Sequence, residues 1–180
     1  MSEGRDALLW LDIETTGLDY QNDDIMEIAW AITTMRGDLL PYSGYYLCQP
    51  DCNKLSDFTL KMHTDNGLVH DLHVDHFPRW GVKGAGRHIE ARIAAAKGHN
   101  QFQNIHLAGA SVHFDRTFLA TKGVNLDGLT HRHVDLSSLK LALAATGRAA
   151  QKRTPRHRAW WDVMDEIDEY RTLLSMIGGR

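Results

Sequence analysis

Ala7-Leu8-Leu9-Trp10-Leu11 runs without a polar residue into Asp12-Ile13-Glu14, and this junction restricts the fold more tightly than any other part of the chain. The stretch reads as a buried strand over residues 7–14. Side chains alternate along a strand, so Asp12 and Glu14 share one face. Two carboxylates side by side there repel each other and lose hydration, and a cation between them removes both penalties. The pair also fits a solvated strand end, the commoner setting for two acids. The rest of the chain has to decide.

Ile25–Thr33 and Gly44–Pro50 read as two further strands, with a turn at Arg36-Gly37-Asp38 between them. Three early strands at hairpin spacing predict an antiparallel meander. "GRHIEARIAAAK" predicts a helix with Ile89, Ile93 and Ala96 on one face. Ile105–Ser111 reads as a buried strand, followed by a helix from Phe114 to Lys122. "HRHVDLSSLKLALAA" predicts a short strand, a cap at Asp135 or Ser137, and a helix. A last helix is expected over Ala159–Ile177, with Trp160, Val163, Met164, Ile167, Leu174 and Ile177 inward. "RWGVKGAGR" reads as a mobile loop, since it lacks the Gly-Lys-Ser/Thr of a phosphate loop. A meander followed by alternating helices and strands predicts one mixed α/β domain over residues 1–180.

A 43% hydrophobic, 24% charged composition is that of an ordinary soluble globular protein. Twenty basic against 23 acidic side chains give −3, which excludes a polycation built for duplex nucleic acid. Any nucleic-acid contact must come from local clusters or metal ions. Cys48 and Cys52 miss the usual zinc spacing and read as reduced, silent thiols. The N-terminus lacks the basic and apolar regions of a signal peptide, and no apolar run reaches membrane-spanning length. A cytoplasmic protein without membrane contact is expected. His70, His73 and His76 cannot share one metal on a helix, because the outer two lie about 240° apart.

Further acids stand at element ends. Asp115 follows the strand "IHLAGASVHF", and Asp162 lies in the first turns of the last helix. His157 precedes Asp162 by five residues, which on a straight helix is a turn of about 140°. The two share a site only if His157 lies in the loop ahead of the helix and folds back. Taken singly, Asp115 and Asp162 are ordinary helix-start acids that complement the helix dipole.

Taken jointly, "DIETTGLD", "HFDRTFL" and "HRAWWD" resemble, in order, the motifs of the DEDD superfamily of 3'-5' exonucleases, in the branch whose last motif carries His. Within it the chain looks most like oligoribonucleases over nearly its full length, through "DDIMEIAWAIT", "FTLKMHTDNGL", "LAGASVHFD" and "HRHVDLSSLK". The resemblance implies a ribonuclease H-like mixed sheet flanked by helices. It also implies an enzyme that removes 5'-mononucleotides from the 3' end of short single-stranded RNA, with DNA as the alternative substrate. Asp12, Glu14, Asp115 and Asp162 match the metal ligands. Carboxylates are hard oxygen donors suited to Mg²⁺ or Mn²⁺, and two such ions can flank a phosphodiester. His157 is the natural general base, since its ordinary pKa lies near neutrality.

For substrate contacts, the resemblance carries over Leu18 and Phe58 against the bases, Ser111 on a phosphate, and His63 near the scissile bond. It carries over His131 and Arg132 as reaching a 5' phosphate across a homodimer interface. Four positions depart from the family pattern. Phe58 stands for Trp, Ala110 for Asn, Phe114 for Gln and His131 for Tyr, and each touches substrate grip rather than metal ligation. Arg148, Lys152, Arg153, Arg156 and Arg158 form a basic run beside His157 that reads as a solvated face or a phosphate collector. A DNA-directed exonuclease of the same superfamily and an idle nucleic-acid-binding module remain the competing functions.

Overall fold

β1 (Asp6–Thr15), β2 (Ile25–Thr34) and β3 (Leu39–Cys48) form the expected antiparallel meander in the computed structural model. The structure describes residues 6–74, 78–98, 102–149 and 153–178. β4 (Arg79–Trp80), β5 (Asn104–Gly109) and β6 (His133–Asp135) each join in parallel, giving the order β4-β3-β2-β1-β5-β6. Among the described residues six α-helices accompany the sheet: α1 (Asp57–Asp65), α2 (Leu68–His73), α3 (Val82–Gly98), α4 (His113–Thr121), α5 (Leu136–Ala144) and α6 (Ala159–Ile177). The fold is the α/β mixed sheet flanked by helices that the sequence implies.

The period of two along β1 divides the core. Ala7, Leu9, Leu11 and Ile13 pack with Ile89, Ile93 and Ala96 of α3 and Phe118 of α4. Leu8 and Trp10 face the other way, against Val163, Ile167, Tyr170 and Leu173 of α6. Trp10 meets Tyr170 at 5.2 Å between ring centroids. Continuing that alternation aims Asp12 and Glu14 at the N-terminal end of α6. One strand thereby supplies both the core and the acids.

Several boundaries differ from the expected ones. β3 starts at Leu39, five places early, because its first half alternates exposed and half-buried residues and has no continuous apolar run. Gly44 lies inside it because a Cβ there would stand 2.5 Å from Trp30 Nε1. The glycine-rich segment read as a mobile loop instead opens α3 at Val82. Its Gly86 is a packing residue, since a Cβ would meet Val124 Cγ2 at 2.5 Å. In α6 the inward seam is Ala159, Val163, Ile167, Tyr170 and Leu173, whereas Ile177 is exposed. Asp135 caps α5 by accepting Ser138 N–H at 2.9 Å. Both cysteines are free thiols. Among the described residues no helix is long and apolar enough to cross a membrane.

Candidate active site

α6 begins where it does because Glu27, fully buried on β2, holds its start. Glu27 Oε2 accepts Ala159 N–H at 2.6 Å, and Oε1 accepts from Arg158 Nε at 3.1 Å and from the Tyr45 hydroxyl at 2.6 Å. Arg158 also donates to Asp71 Oδ2 at 2.7 Å and to the Asn66 carbonyl at 3.2 Å. Sheet, α6 and the α1–α2 turn are thus tied at one guanidinium.

Asp162 stands in the first turn of this anchored helix. Its Oδ1 accepts Arg156 N–H at 2.8 Å and its Oδ2 accepts Arg158 N–H at 3.2 Å. The two bonds bracket His157, whose backbone is left-handed at φ 55°. That conformation costs a non-glycine residue on the order of 1–3 kcal/mol and persists only where the surroundings impose it. Asn66 Nδ2 adds a third restraint, donating to the His157 carbonyl at 2.5 Å. The loop folds back, and His157 lines a cavity of about 300 Å³ together with Asp12, Glu14, Asp162 and Glu166.

Oxygens of Asp12, Glu14 and Asp162 all lie within 4.8 Å of one another. Asp12 Oδ2 is buried with no hydrogen-bond partner. Asp115 adjoins this trio from α4, with its Oδ1 accepting Ile13 N–H at 3.2 Å. Burial drives the Asp12 carboxyl well above the usual carboxylate range, with the Asp115 and Glu166 charges adding to it. Burial and the Glu27 charge push Glu14 up to about 9. Burial likewise raises Asp115 to about 7. An orphaned buried oxygen among hard oxygen donors is the setting a divalent cation fits.

His63 is fully buried, its Nε2 3.8 Å from Glu14 Oε2. Burial pushes its imidazole down to about 4, so it stands neutral beside Glu14 and is not a counter-ion.

The remaining sequence-derived positions lie apart from the cavity lining. Leu18 and Phe58 are 79% and 77% exposed, so neither is a core side chain. Ser111 follows β5 with φ 56° and bonds the Ser137 hydroxyl at 3.2 Å. Phe114 packs against Tyr20 and Phe118 at 5.5 and 5.6 Å and offers no polar group. His131 and Arg132 are exposed and line a separate cavity with Asn104 and His106. That cavity is at the N-terminal ends of β5 and β6, whereas Asp12 and Glu14 end β1, which runs parallel to β5. One chain does not bring the two sets together. In the basic run, Arg153 and Arg156 pair with Asp165, and Arg158 with Glu27 and Asp71. Its Lys152 lies outside the described residues, as does His76.

Glu166 and Asn66 were not singled out from sequence. Glu166 is four residues after Asp162, so the two share a helix face one turn apart, and that spacing was the available signal. Asn66 had none, since its partner His157 is 91 residues away.

A mixed sheet of this order sets the acids at the end of its first strand beside a last helix that carries another, next to a folded-back His. No protein-family model matches the chain. It is 34% identical to an oligoribonuclease of Leifsonia xyli subsp. xyli, over 95% of this chain and 85% of that protein. To an oligoribonuclease of Coxiella burnetii it is 32% identical, over 92% and 91%. The chain belongs to the oligoribonuclease family. Among solved structures, apo exonuclease I matches at a TM-score of 0.64 with 14% identity over 94% of this chain. E. coli exonuclease I in complex with a 5cy-dT13 oligonucleotide matches at 0.64 with 13% identity over 94% of this chain. The chain spans only 42% and 40% of those two chains, and at such identities the likeness concerns the fold alone.

Proposed function

We propose that the protein hydrolyses short single-stranded RNA from its 3' end, releasing 5'-mononucleotides, with two divalent cations, Mg²⁺ or Mn²⁺, in the acidic cavity. The observation that carries this reading is the unpartnered Asp12 Oδ2 beside the Glu14 and Asp162 oxygens. RNA as substrate rests on the oligoribonuclease relatives. Asp12, Glu14, Asp115 and Asp162 would hold the cations. When bound, these supply a more acidic attacking water and charge neutralisation at the leaving 3' oxygen. His157 takes the proton of the attacking water on its imidazole, from a backbone fixed by Asp162 and Asn66. Leu18 and Phe58, both exposed, flank the bases, a contact that tolerates any sequence. Ser111 donates to a phosphate, and the neutral His63 stays beside Glu14 near the scissile bond.

His131 and Arg132 lie away from their own chain's cavity, so they serve a substrate only in a homodimer, where one subunit caps the other's 5' phosphate. A cytoplasmic location completes the reading. The test is a gel of 5'-labelled RNA and DNA of graded lengths, incubated with the protein and Mn²⁺. Stepwise shortening of RNA down to mononucleotides is expected. Faster cleavage of DNA would replace this reading by the DNA-directed one, and no cleavage of either would favour an idle binding module.

A further inference from the structure

The cavity holds more carboxyl groups than the four motif acids supply. Two of its additional acids are already offset: Asp165 by Arg153 and Arg156, at 3.5 and 3.0 Å, and Glu169 by Lys140 at 3.1 Å. Glu166 is different. Its Oε1 accepts Ala110 N–H at 3.0 Å, while its Oε2 is buried and has no hydrogen-bond partner. Among the described residues no basic side chain pairs with it. Its neighbours are the negative charges of Asp12, Asp115 and Asp162.

A buried carboxylate in that position gives the empty fold nothing that a neutral amide would not give, because an amide oxygen would accept from Ala110 equally well. Its charge only adds repulsion, unless a cation enters and converts the repulsion to attraction. Asp12 and Glu166 each carry one orphaned buried oxygen, and both line the same cavity. We propose that Glu166 is a fifth carboxylate of the cation site, contributing its Oε2 to holding a divalent ion beside Asp12. This rests on the metal-dependent reading above and extends it to a residue outside the four motif acids.

The test is calorimetric titration of Mn²⁺ into the wild-type chain and Glu166→Gln, with the Tm of each metal-free protein measured alongside. Gln keeps the shape and the acceptor for Ala110 while removing the charge. Glu166→Gln should weaken Mn²⁺ binding roughly 10–100-fold, with a metal-free Tm equal to or above that of wild type. Glu166→Asp, which restores the charge on a shorter arm, should recover part of the loss. Wild-type binding matched by Glu166→Gln overturns this inference and leaves the metal-dependent reading standing. A weakened affinity accompanied by a lower metal-free Tm assigns Glu166 a structural role and overturns it too. If the wild-type chain binds no Mn²⁺, both fall.

Discussion

Asp12 shows, at the level of a single side chain, what the proposed cation would relieve. Its Oδ2 is buried without a partner, and the charges of Asp115, Glu166 and Glu14 all oppose its ionisation. Asp12→Asn should therefore abolish nearly all turnover while raising the Tm of the metal-free protein, because it removes a carboxyl whose ionisation burial and its acidic neighbours penalise. Turnover at saturating Mg²⁺ and a melting curve without metal check the two halves. Near-normal hydrolysis would sink the ligand assignment. His157 calls for a different measurement. If its imidazole takes the proton, the rate rises with pH as it deprotonates, and His157→Ala should flatten that limb more than it weakens Mn²⁺ binding. An unchanged pH profile would move the base elsewhere. Asp12 and Glu14 were legible in the sequence because a strand's period of two is rigid. Asp115 and Asp162 were legible only as a set, through motif order. Glu166 was not, since an acid on a helix resembles any solvated one.

At the scale of elements, long periodic segments were the readable ones. α6 was placed at Ala159–Ile177 from its apolar spacing, and β1 to within a residue at each end. The starts of β3 and α3 escaped for a shared reason: each reading stopped at a glycine, and these glycines are fixed by what lies across from them. Gly86 is set by Val124, and Gly44 by Trp30. The Glu27–Arg158 tie was equally hidden, as its partners are 131 residues apart. That tie positions the active helix, and it meets the acidic trio where Arg158 N–H donates to Asp162. Glu27→Ala leaves Arg158 without its buried partner and Ala159 N–H without an acceptor, a loss of about 3–5 kcal/mol. Urea unfolding should show it. Activity should also fall, since Asp162 and His157 both depend on where α6 starts. A loss of less than about 1 kcal/mol, the range of a surface ion pair, would show that α6 is anchored by its apolar seam alone.

The acidic cavity also sets how the whole molecule responds to pH. Glu14, Glu166 and Asp115 have folded values of about 9, 8 and 7, all raised, so they contribute stability below their unfolded values and lose it as pH rises. His63, lowered to about 4, acts oppositely, losing stability as pH falls below its ordinary 6.5. Between 6.5 and the ordinary thiol value of 9, where the raised Cys48 begins to act, the carboxylates govern the change. The metal-free Tm should then fall between pH 6.5 and 9, and saturating Mg²⁺ should flatten the fall; a flat metal-free curve would contradict it. The proposed homodimer is the other property that no single chain contains. His131 and Arg132 sit at the opposite end of the parallel strands from Asp12 and Glu14, so a contact with substrate needs a second copy. Arg suits a 5' phosphate because its planar fork meets the oxygens bidentately and stays charged. A capped 5' end limits length, since a longer strand has nowhere to exit. Phe114, packed among aromatics, and His131 offer less grip than the polar side chains of the family pattern, so the cap should be loose. Light scattering should give twice the 20.4 kDa chain mass. The dimer should prefer di- to pentanucleotides to long RNA, though shallowly. Arg132→Ala should slow 5'-phosphorylated dinucleotides while sparing longer strands. A fully active monomer, or equal rates on dinucleotides and long RNA, would remove the partner from the site and leave a general exonuclease.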